Sequence, residues 1–92
     1  MKIAIEYFGP AREAAGLVRE AIEVGPGTTA RQLIEAVAKE RGGRFASLLL
    51  GPDGAMSRSI MLAVENREVA RDESAELRDG DEIVVIPPVA GG

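Results

Sequence analysis

Two clusters of carboxylates, Asp72–Glu73 in "DES" and Asp79, Asp81 and Glu82 in "DGDE", supply raw material for acid–base or metal chemistry in this 92-residue chain. Both read more simply as solvated turns. Ser47, Ser57, Ser59 and Ser74 have no histidine to activate them, because the chain contains none. The turns "GPG" and "GPDG" lack the Lys-Ser/Thr that follows in a phosphate loop. Cysteine is also absent, which excludes disulfides, thiolate metal sites, iron–sulfur clusters and cysteine nucleophiles. No catalytic side chain, bound cofactor or metal site is expected.

The remaining chemistry lies in the main chain. The sequence closes on "DGDEIVVIPPVAGG", and average glycine usage would give a Gly-Gly ending in about 0.5% of chains. Pro87 and Pro88 end the last strand and favour an extended exit. Residues 87–92 could then project about 20 Å. Val89 and Ala90 are small, and Gly91 and Gly92 have no side chain, so the end is a thin thread. Such a thread suits a narrow tunnel in a partner that orders it on binding, with its terminal carboxylate as the reacting group. Composition alone leaves this level with a tail that has no role.

The elements that must hold this thread are legible in the hydrophobic pattern. "KIAIEYF" alternates, with Ile3, Ile5 and Tyr7 on one face and Phe8 on the face expected to be wet. "GPAREAAG" predicts one or two helical turns, with Pro10 at the first position and Gly16 at the exit. "VREAIEV" alternates again, with Val18, Glu20, Ile22 and Val24 sharing a face. Thr29 and Gln32 form a capping-box pattern ahead of a helix whose stripe is Ala30, Leu33, Ile34, Val37 and Ala38. Glu35 and Lys39 are spaced for an i,i+4 pair, and Gly42 for the exit. "FASLLL" is expected to plug the end of the core as a helical turn. "SIMLAV", "EVA" and "EIVVIP" complete a strand, a short strand and a last strand.

A hairpin joined through a crossover helix to further strands predicts an α+β fold of the β-grasp, ubiquitin-like type. A mixed four- to five-stranded sheet would pack on one main helix, with the domain at 1–86 and the tail at 87–92. The first and last strands would lie side by side. With Ile83 and Val85 turned inward, Val84 and Ile86 join Phe8 in an apolar patch at the root of the tail. Such patches mark protein–protein surfaces; a loop folded over them, or a shifted strand phase, is the alternative.

Formal charge is −4, and the arginines are interspersed with acids rather than gathered on one face. That argues against a nucleic-acid partner. No signal-peptide pattern or apolar run of membrane-spanning length is present, so a cytoplasmic protein without membrane association is the expectation.

Several stretches resemble the ubiquitin-like sulfur carriers of the MoaD/ThiS family, which includes the small subunit of molybdopterin synthase. They are "YFGPAREAAG", "TARQL", "LAVENREV" and, most specifically, "LRDGDEIVVIPPVAGG". The resemblance spans nearly the whole chain and is loosest from residue 41 to 58. It implies a non-catalytic carrier whose C-terminal Gly92 is adenylated with ATP by a ubiquitin-activating-like adenylyltransferase. A sulfur donor protein then converts it to a thiocarboxylate. The large synthase subunit takes the tail, Pro87 to Gly92, and passes the sulfur to a pterin precursor. Phe8 and Ile86 match docking positions, although an aromatic is common in the family where Ile86 stands. Arg12 either meets a partner carboxylate or pairs locally with Glu13 or Glu6. Cysteine or thiamine synthesis, and lysine-linked protein modification, share the same activated terminus. A plain β-grasp interaction module, such as an RNA-binding regulatory domain, is the reading from another class.

Overall fold

The computed structural model describes residues 1–70 and 73–87. The chain runs β1 (Lys2–Tyr7), α1 (Gly9–Ala15), β2 (Arg19–Glu23), α2 (Ala30–Arg41), α3 (Gly43–Leu49), β3 (Met61–Val64), β4 (Arg67–Val69) and β5 (Glu82–Ile86). The strands form one mixed sheet in the order β2-β1-β5-β3-β4. β1 and β5 are parallel neighbours, with Glu6 level with Val84 and Tyr7 with Val85. The other pairings are antiparallel. This is the ubiquitin-like β-grasp arrangement, with the strands nearest the two termini side by side at the centre.

One face of the sheet makes the core. Ile3, Ile5 and Tyr7 of β1, Leu62 of β3, and Ile83 and Val85 of β5 are buried with Ala30, Leu33, Ile34, Val37 and Ala38 of α2. Phe45 and Leu49 of α3 close one end, so "FASLLL" contributes a helix rather than a single turn. A fully buried aliphatic side chain contributes about 1.5–3 kcal/mol, against less than about 1 kcal/mol for an exposed ion pair. The apolar layer, not surface charge, therefore holds sheet to helix.

Local chemistry sets the element ends. Thr29 Oγ1 accepts from Gln32 N at 3.2 Å while Gln32 Oε1 accepts from Thr29 N at 3.0 Å, completing the capping box. Gly16 closes α1 at φ 78°, a left-handed conformation that a Cβ would disfavour. Gly9, not Pro10, is the first residue of α1, and the proline takes the second position, where its missing N–H still costs nothing. Glu65 and Asn66 both have positive φ, which matches the twist of the two-residue β3–β4 hairpin.

Two expectations are corrected here. Glu35 pairs with Arg31 at 3.3 Å rather than with Lys39, and its Oε2 also accepts from Met56 N at 2.8 Å. That second bond draws the carboxylate toward the loop after α3. Val18, read as the first residue of the second alternating strand, is 49% exposed and precedes β2, whose first residue is Arg19.

Beneath β2 lies a polar cluster that fastens sheet to helix. Tyr7 Oη donates to Glu20 Oε2 at 2.5 Å, and Arg41 holds both Glu20 oxygens at 2.8 and 2.9 Å. The Arg41 guanidinium lies 4.8 Å from the centroid of Phe45, whose ring meets Tyr7 edge-on at 5.3 Å. Hydrogen bonds from Arg41 hold the Glu20 carboxyl below the usual carboxylate range; partial burial opposes them, while Tyr7 and the charge of Arg41 reinforce them. Burial, and then the Glu20 carboxylate, push the Tyr7 phenol up.

The signs give two pH limits. A depressed Glu20 stabilises fully above the unfolded carboxyl value of about 4.3 and loses that contribution as pH falls through its folded value. A raised Tyr7 stabilises below the unfolded phenol value of about 10 and loses that contribution as pH rises. Urea midpoints measured from pH 3 to 11 should show both limbs. Glu20→Gln should flatten the acid limb and cost about 1–3 kcal/mol near neutrality. Tyr7→Phe should flatten the alkaline limb and, because the hydroxyl also helps to depress Glu20, soften the acid limb.

Candidate functional site

The carboxylate clusters are structural where the structure describes them. Asp79 Oδ1 accepts from Lys2 N at 2.7 Å, and Asp81 Oδ2 accepts from Arg78 N at 2.8 Å. Gly80, at φ 88°, donates its N–H to Lys2 O at 2.9 Å. "RDGD" thus buckles the turn before β5 onto the start of β1. Glu82 is ion-paired with Arg19 at 2.6 Å, and Glu73 with Arg67 at 2.6 Å; Asp72 lies outside the described residues. A cavity of about 470 Å³ runs along residues 51–58. Its one carboxylate, Asp53, is engaged by Ala55 N at 3.1 Å, and the other charged side chain in its lining is Arg58. Among the described residues no group of three His, Cys, Asp or Glu could hold a metal, and no helix is long and apolar enough to cross a membrane.

The apolar face predicted beside the tail is present. Alternation in β5 buries Ile83 and Val85 and turns Val84 and Ile86 to the opposite side, where Ile86 is 37% exposed and Val84 half-buried. Phe8 lies one residue past β1 with its backbone still extended at φ −128° and ψ 156°. Continuing the β1–β5 register sets it level with Ile86, and it is 40% exposed. On the other side of β5, Met61 of β3 is the ladder partner of Ile86 and is 44% exposed; Ala63 stands opposite Val84.

Met61 belongs to this exposed apolar face and was not foreseen from the sequence. The signal was available, since Ile60 and Leu62 are both inward residues and the one between them must turn out. Phe8, Met61, Val84 and Ile86 therefore form one apolar strip across three strands. Elsewhere this face carries charge, as at Glu6 and in the Arg19–Glu82 pair.

Arg12 sits at the end of the strip. Its Nε donates to Tyr7 O at 3.1 Å, and its guanidinium lies 5.3 Å from the Phe8 ring centroid. Neither Glu6 nor Glu13 is ion-paired with it, which removes the local pairing considered from sequence. One edge of the guanidinium is thus fixed to the backbone beside the strip, and no carboxylate among the described residues neutralises it.

The root of the tail is packed against the same corner. Pro87 is buried, and a Cβ built on Gly9 would stand 3.7 Å from Pro87 Cγ. Gly9 has φ 51°, so the β1–α1 junction needs a residue tolerant of left-handed backbone. Pro87, assigned from sequence to the thread, belongs to the packed body. Pro88, Val89, Ala90, Gly91 and Gly92, the rest of the proposed thread, lie outside the described residues.

Comparison with known proteins bears on this arrangement. Residues 5–92 match the ThiS family. A molybdopterin synthase sulfur carrier subunit from Chlamydomonas reinhardtii is 30% identical over 93 residues, covering all of both chains. Among solved structures, a chain from Pyrococcus furiosus assigned as subunit 1 of a molybdopterin converting factor is 37% identical. Its TM-score is 0.73, with 97% of this chain and 99% of that one covered. SAMP1 from Haloferax volcanii superposes with a TM-score of 0.83 over the whole of both chains at 22% identity, a likeness of fold.

Proposed function

Because the chain belongs to the ThiS family of ubiquitin-like sulfur carriers, we propose that it carries sulfur on its C-terminal Gly92 to the pterin precursor of molybdopterin, as the small, non-catalytic subunit of a molybdopterin synthase. The observation that carries this reading is the apolar strip of Phe8, Met61, Val84 and Ile86 at the root of a glycine-ended segment. Exposed apolar patches rimmed by polar residues tend to be docking surfaces, and here the strip stands where a partner drawing in the tail would press. The names of the Chlamydomonas and Pyrococcus proteins support the pathway.

A carboxylate resists nucleophiles, so the chemistry begins with activation in a partner. One Gly92 oxygen attacks the α-phosphorus of ATP in the adenylyltransferase, pyrophosphate leaves, and an acyl adenylate forms. Sulfur delivered at the sulfide level by a donor protein attacks the acyl carbon, the bond to the adenylate breaks, AMP leaves, and a terminal thiocarboxylate remains. The large subunit then takes the thread, and the thiocarboxylate sulfur attacks the pterin precursor. Arg12 offers its unneutralised charge to a carboxylate on the partner, beside the apolar strip. Acid–base groups come from the partners, in keeping with a chain that has no histidine or cysteine.

The test is direct. Incubation of the full chain with adenylyltransferase, ATP and sulfur donor should raise its intact mass by the difference between sulfur and oxygen. The product should then support dithiolene formation by the large subunit. A mass gain that serves only a cysteine or thiazole synthase would move the chain to another pathway. A ladder of lysine conjugates in cell extract would point to protein modification. No mass gain at all would overturn the carrier reading.

A further inference from the structure

The chain has no cysteine, histidine or tryptophan, so its readily oxidised side chains reduce to three methionines. The fold treats them unequally. Met56 is 6% exposed within the core, and Met1 is half-buried at the opposite end of β1, packed against the core. Met61 alone is broadly open, and it is the ladder partner of Ile86 in the middle of the apolar strip.

We infer that Met61 is an oxidation site through which peroxide turns off docking at this face. The inference rests on the proposal that a partner covers the strip. Hydrogen peroxide transfers one oxygen to the thioether: the O–O bond breaks, an S–O bond forms, sulfur loses two electrons and water leaves. The product is a methionine sulfoxide, polar and chiral where an adaptable apolar side chain had been.

The neighbours of the sulfur decide the effect of that oxygen. On the strip, Met61 is flanked by Ile86 across the ladder and by Ala63 two residues on, while on its other side it borders a cleft with Arg58, Ser59 and Glu68. Neither Ile86 nor Ala63 can donate a hydrogen bond to an S=O turned toward the strip. In the free chain water does so, and the fold is undisturbed. Under a docked partner that water is lost, and an unsatisfied polar oxygen is left inside an apolar contact. Oxidation and docking are then mutually exclusive: the bound partner shields the sulfur, and the sulfoxide weakens the partner. Because sulfoxide reductases return methionine, the change is reversible.

The experiment uses the full chain and the synthase large subunit. Free chain treated with hydrogen peroxide and digested should show sulfoxide at Met61 well before Met56, and the complex should be protected at Met61. Binding of the large subunit to the oxidised chain should weaken about 10- to 100-fold. Treatment with both epimer-specific methionine sulfoxide reductases and a thiol reductant should restore it. Met61→Leu, compared with its own untreated form, should lose no affinity on peroxide treatment. An oxidised parent that binds normally, or a Met61→Leu chain that loses affinity on peroxide treatment as the parent does, overturns the inference and leaves the carrier reading intact. Failure of the unoxidised parent to bind any large subunit overturns that reading and, with it, this one.

Discussion

Deleting Gly92 is expected to abolish sulfur loading completely while leaving the fold unchanged. The truncated chain still ends in a glycine carboxylate, so the loss is one of position rather than of functional group. Removing one residue draws the terminus back by about 3.5 Å. Misplacing a reacting atom by even about 1 Å can cost around 100-fold in rate, and a thread in a tunnel has no lateral freedom with which to recover the distance. Thermal unfolding should be unaltered, because the core that sets it is made by residues from Ile3 to Val85. Intact mass after incubation with activating enzyme, ATP and sulfur donor reads the outcome. Loading of the shortened chain at the parental rate would mean that the reach of the thread does not set which terminal carbonyl is activated.

The prediction separates what the sequence made legible from what it did not. Alternation in β1 and β5 and the helical stripe of α2 were readable because each buries one face, and burial imposes a period that residue types must obey. Ile83 and Val85 inward forces Val84 and Ile86 outward, and that single inference located half of the apolar strip. Side-chain partnerships were less legible. Glu35 could serve Lys39 or Arg31 with equal helical spacing, and the choice was made by the Met56 N–H, supplied by a loop 21 residues away. The Tyr7–Glu20–Arg41 cluster depends on three elements meeting, and no local pattern announces it. Pro87 looked like the first residue of a spacer because proline ends strands. That it packs against Gly9 comes from the tertiary placement of α1 beside the end of β5.

Charge illustrates the same divide. Asp79 and Asp81 look alike in "DGD" to any search for acid–base pairs. Only the fold shows that each already accepts a backbone N–H, Asp79 from Lys2 of β1 and Asp81 from Arg78 within the turn. Arg12 is the converse case. Its sequence neighbours left a local pair with Glu13 or Glu6 as open as a partner carboxylate, yet its guanidinium is held by Tyr7 O and the face of Phe8. A cation stacked on an exposed ring beside aliphatic side chains makes a surface that is apolar at its centre and positive at one end.

Ile86→Asp should therefore uncouple docking from folding. Ile86 points away from the core and is partly exposed, so a carboxylate there remains hydrated in the free chain and unfolding should shift little. Under a partner the same carboxylate would be desolvated within an apolar contact with no cation beside it, unless Arg12 were drawn across Phe8 to meet it. Affinity for the large subunit should fall by at least about 100-fold, or 2.7 kcal/mol. Val85→Asp, one residue earlier and inside the core, should instead prevent folding, which fixes the phase of β5 as the cause of the difference. Arg12→Ala should cost less, about tenfold, and should make binding less sensitive to salt, because a partly exposed charge pair is screened where the apolar strip is not. Equal binding by Ile86→Asp and the parent would mean that the tail alone holds the partner and that the strip beside it serves something else.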